Sequence, residues 1–240
     1  MNRSRTVFPF RPVLLLTGLA VALFSATPPL RAAKTEEIHT PTVAPLEPGR
    51  IACGNLIYAG NRSSVCFADK FLGDVAKETT LETEKKFRFV RLDSDTVFDL
   101  PFCVFSGEGS FTLTDRERRN LRQYLLNGGF LLSSPSCSNA DWDASLRKEI
   151  ALAMPEYPFT KIPMTHPVFG VLNQITALTC KEGNTAMLEG MEVNGRLVMI
   201  HSKEGLNDVG NAKGCCCCGG NEIRQSAAVN VNILVYALLY

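Results

Sequence analysis

The chain has three histidines, no acidic residue before Glu36 and no surplus of charge of either sign. Each scarcity excludes something. His39 falls in a polar, proline-bearing stretch, which leaves His166 and His201 as the histidines that can act as a base. A formal net charge of +1 becomes about −3 once residues 1–33, with four arginines and no acid, are set aside. A nucleic-acid partner would need a basic face that this composition does not supply. The apolar run from Val13 to Ala26 falls short of the roughly 20 residues of a membrane-spanning helix. No cysteine follows that run closely, so a lipid anchor has no acceptor. None of the cysteines stands in a G-x-S-x-G or G-x-C-x-G context, the sharp elbow that presents a hydrolase nucleophile. No internal repeat is visible.

What is present begins with a leader. Arg3, Arg5 and Arg11 flank a short apolar run that ends near Ala32 and Ala33, the layout of a secretory signal peptide over residues 1–33. The expectation is an exported protein of the periplasm or cell envelope, starting near Lys34 and touching a membrane only through an uncleaved leader. Residues 34–50 carry Pro41, Pro45 and Pro48 and read as a disordered, semi-extended linker. Residues 51–240 then hold enough apolar material for one α/β domain.

Within it, short apolar runs alternate with amphipathic stretches. Strands are expected at Asn55–Ala59, Phe87–Leu92, Phe102–Phe105 and Phe130–Leu132, and Asn194-Gly195 predicts a hairpin between Leu188–Val193 and Arg196–Ile200. Ser63 or Ser64 can cap a helix presenting Phe67, Phe71 and Val75. Thr114 and Glu117 form a T-x-x-E capping box closed by Gly128-Gly129. Trp142, Leu146 and Ile150 mark a further helix up to Pro155, and the length of the apolar end, Ala227–Tyr240, favours a buried helix.

Three segments read together, FCVFSGEGSF from Phe102, LRQYLLNGGFLL from Leu121 and VNVNILVYAL from Val229, resemble a bacterial exported family. It is catalogued as domain of unknown function 4159, and the resemblance spans about residues 50–240. It implies a Rossmann-like, class I glutamine-amidotransferase-like fold: a mostly parallel sheet with helices on both faces. The amidotransferase Cys-His-Glu machinery need not be kept, so the resemblance speaks to fold before function.

In such a sheet, ligands collect at the carboxyl ends of the strands. Arg62, Ser63 and Ser64 follow the first strand and can hold an anion, although an ordinary helix cap is the favoured reading of this segment. Gly107 and Gly109 flank Glu108 after the third strand, where two glycines suit a tight turn better than a phosphate cradle. Cys137 follows the fourth strand, near Asp141 and Asp143. A thiol-dependent hydrolase or amidase would use Cys137, His201 and an acid, Glu108 or Asp141. Asp208 leads toward Cys215–Cys218. Those four adjacent cysteines admit disulfides pinning a glycine-rich loop, a metal held by Cys215 and Cys218, or redox exchange. The leading expectation is a non-catalytic module that binds a small ligand or an envelope protein through the strand-end loops, with no cofactor specified.

Overall fold

Runs such as Phe102–Phe105 are apolar at every position, which suits a strand covered on both faces. The computed structural model, which describes residues 40–67, 70–206 and 221–240, has that arrangement. Its strands are β1 (Cys53–Ile57), β2 (Arg88–Arg91), β3 (Phe102–Phe105), β4 (Phe130–Ser133), β5 (Thr160–Lys161), β6 (Leu188–Val193) and β7 (Arg196–Ser202). They form a seven-stranded sheet in the order β2-β1-β3-β4-β7-β6-β5. The first five strands in that order run parallel, and β6 and β5 close the edge antiparallel. The helices are α1 (Lys70–Glu78), α2 (Asp115–Leu126), α3 (Ala140–Ala153) and α4 (Ser226–Leu239). The fold is α/β and Rossmann-like.

Strand alternation splits the core in two. Phe102 and Val104 point to the side where Phe71 and Val75 of α1 meet Val229 and Ile233 of α4. Cys103 and Phe105 point to the other, against Leu121 and Tyr124 of α2 and Trp142 and Leu146 of α3. Buried asparagines interrupt the apolar surface of α4 for a reason. Asn232 Nδ2 donates to Val168 O and Asn173 O (3.0 and 2.8 Å), and Asn230 Nδ2 donates to Leu206 O (2.7 Å). The V-N-V-N stretch therefore clamps two loops to α4.

The capping box of α2 forms as read. Thr114 Oγ1 accepts from Glu117 N (3.2 Å) and Glu117 Oε2 accepts from Thr114 N (2.7 Å). Thr114→Ala is expected to cost about 0.5–2 kcal/mol, because it orphans a first-turn N–H. A urea midpoint equal to that of the parent protein would show that this cap carries no stability.

Other boundaries move. β1 ends at Ile57 rather than Ala59 because the chain folds back on itself: Tyr58 and Arg62 exchange two backbone hydrogen bonds of 2.9 Å around Ala59 (φ 45) and Gly60 (φ 92). Ser63 and Ser64 do not cap α1, which begins at Lys70. Ser64 Oγ instead accepts from Cys66 N (3.1 Å) and lies 2.8 Å from Ser136 Oγ, inside the domain. From Thr42 the proline-bearing stretch runs beside β2. Thr42 N donates to Phe89 O (2.8 Å), Phe89 N donates to Thr42 Oγ1 (3.0 Å), and Arg88 holds Ala44 O and Pro45 O. No helix among the described residues is long and apolar enough to cross a membrane.

Candidate functional site

From β1 the chain passes through α1 to β2, then crosses back to β3 on the opposite side of β1. The loops leaving β1 and β3 therefore part from each other, and a crevice opens where the winding reverses. An open cleft of about 300 Å³ lies there, lined by Ala59, Arg62, Ser110, Phe111 and Thr112. The Arg62 guanidinium spans the two loops, Nη1 donating to Glu108 O (3.3 Å). Behind it Arg91 Nη1 donates to Gly60 O and Asn61 Oδ1 (3.1 Å each), while its other nitrogens pair with Asp93 at 2.9 and 3.0 Å. The Ala59 N–H donates to Glu117 Oε1 (2.6 Å), so the buried carboxylate that caps α2 also fixes the turn after β1.

Beneath the cleft the two loops share an aromatic floor. Trp142 Nε1 donates to Tyr58 Oη (2.6 Å), which donates to Ser106 O (3.2 Å). Phe105 and Phe111 pack on both rings with centroid separations of 4.6–5.7 Å. This explains one half of the Gly-Glu-Gly turn: a Cβ on Gly107 would stand 2.0 Å from Tyr58 Oη and 2.7 Å from Trp142 Nε1. Gly109 explains the other, with φ 67 and its N–H given to Asn139 Oδ1 (3.1 Å). Glu108 between them is exposed.

Farther along the same edge, His201 is fully buried with both ring nitrogens engaged. Nδ1 lies 2.9 Å from Ser133 Oγ, and Nε2 lies 2.7 Å from Asp143 Oδ1. Arg147 bridges Asp143 and Glu189, and the Phe159 ring covers the imidazole at 5.6 Å. Burial works to raise the Asp143 carboxyl, but hydrogen bonds from His201 and Arg147 outweigh it and hold the group below the usual carboxylate range. His201 thus serves Ser133 and Asp143, and neither ring nitrogen turns to Cys137. Cys137 is half-buried in the turn between β4 and α3, where it and Ser138 both take φ 51, a left-handed conformation costly for side-chain-bearing residues. Asp141 is exposed in the first turn of α3, its carbonyl accepting from Ser145 Oγ (2.9 Å). His166 caps a single 3₁₀ turn, Nδ1 accepting from Val168 N (3.2 Å), and burial lowers its pKa.

Glu108, Cys137 and His201 thus lie at one end of the sheet, with His201 engaged by Ser133 and Asp143, and Arg62 alone of the expected residues lines the cleft. Asp208, Cys215 and Cys218 lie outside the described residues. The described flanks of that segment do reach this end: Leu206 N donates to Ser134 Oγ (3.2 Å) and Asn221 N to Ser138 Oγ (3.1 Å). Sequence reasoning missed Ser133, Arg147 and Glu189 as partners around His201, and Glu117 as a support of the cleft. The available signals were a serine closing an apolar strand and an Asp143–Arg147 pair one helical turn apart.

A family model described as "Domain of unknown function (DUF4159)" matches residues 63–238. No curated protein matches the chain.

Proposed function

Because the chain belongs to that DUF4159 family, whose description assigns no reaction, we propose from the geometry that it is a binding module holding a small anionic ligand in the crevice between the β1 and β3 loops. One observation carries this: the open cleft of about 300 Å³ falls at the reversal of strand order and has a guanidinium in its wall. A planar, permanently charged fork on a turn pinned at both ends is pre-organised for an anion, so little side-chain freedom remains to be lost on binding. Export to the periplasm or envelope belongs to the same proposal, supported by the arginine-flanked leader. The competing thiol-hydrolase reading draws support from the left-handed turn at Cys137, but it needs a base, and His201 is committed to Ser133 and Asp143.

The test is an amide-resolved NMR titration with sodium acetate and with inorganic phosphate. At least one anion is expected to shift Ala59–Arg62 and Ser110–Thr112 with a saturable curve, and Arg62→Ala to weaken that binding by about tenfold, the loss expected for a charge-assisted hydrogen bond. Unmoved amides, or equal curves in the variant, would overturn the proposal.

A further inference from the structure

Resting on that reading, we infer that Glu117 is a positioning residue for the crevice: from the first turn of α2 it imposes the left-handed turn after β1 that carries Arg62 to the wall. The chain does not favour this turn unaided. Ala59 takes φ 45, in the region that disfavours a residue with a Cβ, and Gly60 follows at φ 92. The Tyr58–Arg62 backbone pair closes the turn, and Arg91 Nη1 holds it through Gly60 O and Asn61 Oδ1. Neither contact uses the amide of Ala59. That N–H goes to Glu117 Oε1 at 2.6 Å, a charge-assisted bond to a carboxylate that is 2% exposed. Glu117 Oε2 accepts from Thr114 N (2.7 Å), so the carboxylate is itself held at both oxygens. A strained residue persists beside a ligand site only where its surroundings over-determine it, and at Ala59 the determining contact comes from α2. Arg62 is tied to the β3 loop as well, through Glu108 O. The role of Glu117 is therefore one of placement, whatever else the guanidinium touches.

Sodium acetate and inorganic phosphate are titrated against the parent protein and its variants, with hydrogen exchange at the Ala59 amide as a reading that needs no ligand. In the parent protein that amide is expected to exchange at least about tenfold more slowly than those of exposed Gly60 and Asn61, as a bonded N–H does. Glu117→Leu removes the acceptor and should weaken anion binding about tenfold, the scale of a lost charge-assisted hydrogen bond. Glu117→Gln keeps an oxygen for the Ala59 N–H and should stay within about threefold of the parent protein. Thr114→Ala loses the helix cap but keeps the backbone N–H that Glu117 Oε2 accepts, so it should lower the urea midpoint without changing the anion constant. A merely structural role for Glu117 would instead move both together. Glycine takes a positive φ without strain, so in an Ala59→Gly background Glu117→Leu should cost less than about threefold. An Ala59 amide that exchanges as fast as its two neighbours overturns the inference even if Glu117→Leu does not fold. Equal anion binding by the parent protein and a folded Glu117→Leu overturns it too, and leaves the anion-binding reading standing. Binding of neither anion by the parent protein overturns that reading, and this inference falls with it.

Discussion

Trp142→Ala is expected to destabilise the domain by about 3–5 kcal/mol, the range for deleting a buried aromatic side chain. Trp142 has no exposed surface and stands edge-on to Phe105 at 5.4 Å and tilted to Phe111 at 5.6 Å. Truncation removes that packing and strips the Tyr58 hydroxyl of its donor. The effect should not stop at stability. Tyr58 opens the β1 loop, Ser106 opens the β3 loop, and Trp142 ties both to α3, so anion affinity should fall together with the unfolding midpoint. Trp142→Phe keeps most of the ring but not the N–H, and should cost much less. As the chain has one tryptophan, intrinsic fluorescence of the parent protein reports directly on this floor. Circular dichroism then gives the variants' midpoints. A loss below about 1 kcal/mol in Trp142→Ala would mean that the ring is not packed as described.

Arg88→Ala should cost a comparable amount, about 3–5 kcal/mol, for a different reason: it leaves a carboxylate buried without its cation. Arg88 and Glu84 are 8% and 5% exposed and meet in a two-pronged contact, Nε to Oε2 at 2.6 Å and Nη2 to Oε1 at 2.5 Å. The hydrogen bond from Arg88 is the main cause of a lowered Glu84 pKa; burial opposes it, and the Glu47 N–H adds to it. A carboxyl whose folded pKa lies below its unfolded value binds fewer protons when folded. Its stabilisation is complete above about pH 4.5 and drains away as pH falls through the folded value. Below about pH 4.5 the parent protein should therefore lose stability more steeply than Glu84→Gln, although the variant is weaker at neutral pH. Parallel acid limbs in the two proteins would show that this pair does not govern acid unfolding.

The parts of this molecule legible in its sequence are those decided by neighbours along the chain. Phe102–Phe105 has the bounds expected of it, Asn194 and Gly195 take the positive φ values that a tight hairpin requires, and Thr114 meets Glu117 three residues away. Ser63 and Ser64 show where local reasoning fails, since the same residues that can cap a helix are held by Asn55 and Ser136 from other elements. The site is less legible still. Glu117 reaches Ala59 across 58 positions and His201 reaches Ser133 across 68, so neither pairing leaves a periodic trace. The chain bends at Glu108 and Gly109, and Gly109 takes φ 67. That Gly107 must lack a Cβ follows only once Tyr58 and Trp142, 84 residues apart, are known to touch.

An open sheet has two unpaired borders, and each is a template on which a second chain can add strands and begin a fibril. This protein treats its borders differently. On the β2 side, Thr42 takes both the carbonyl and the N–H of Phe89, and the Arg88–Glu84 pair holds the covering segment through Ala44 and Pro45. On the other side β5 has two residues, both exposed and one of them Lys161, too short and too charged to seed stacking. The chain segment before β1 is thus a guard against self-association. Loosening it through Arg88 should expose a growth edge, making aggregation rather than simple unfolding the failure mode of that variant.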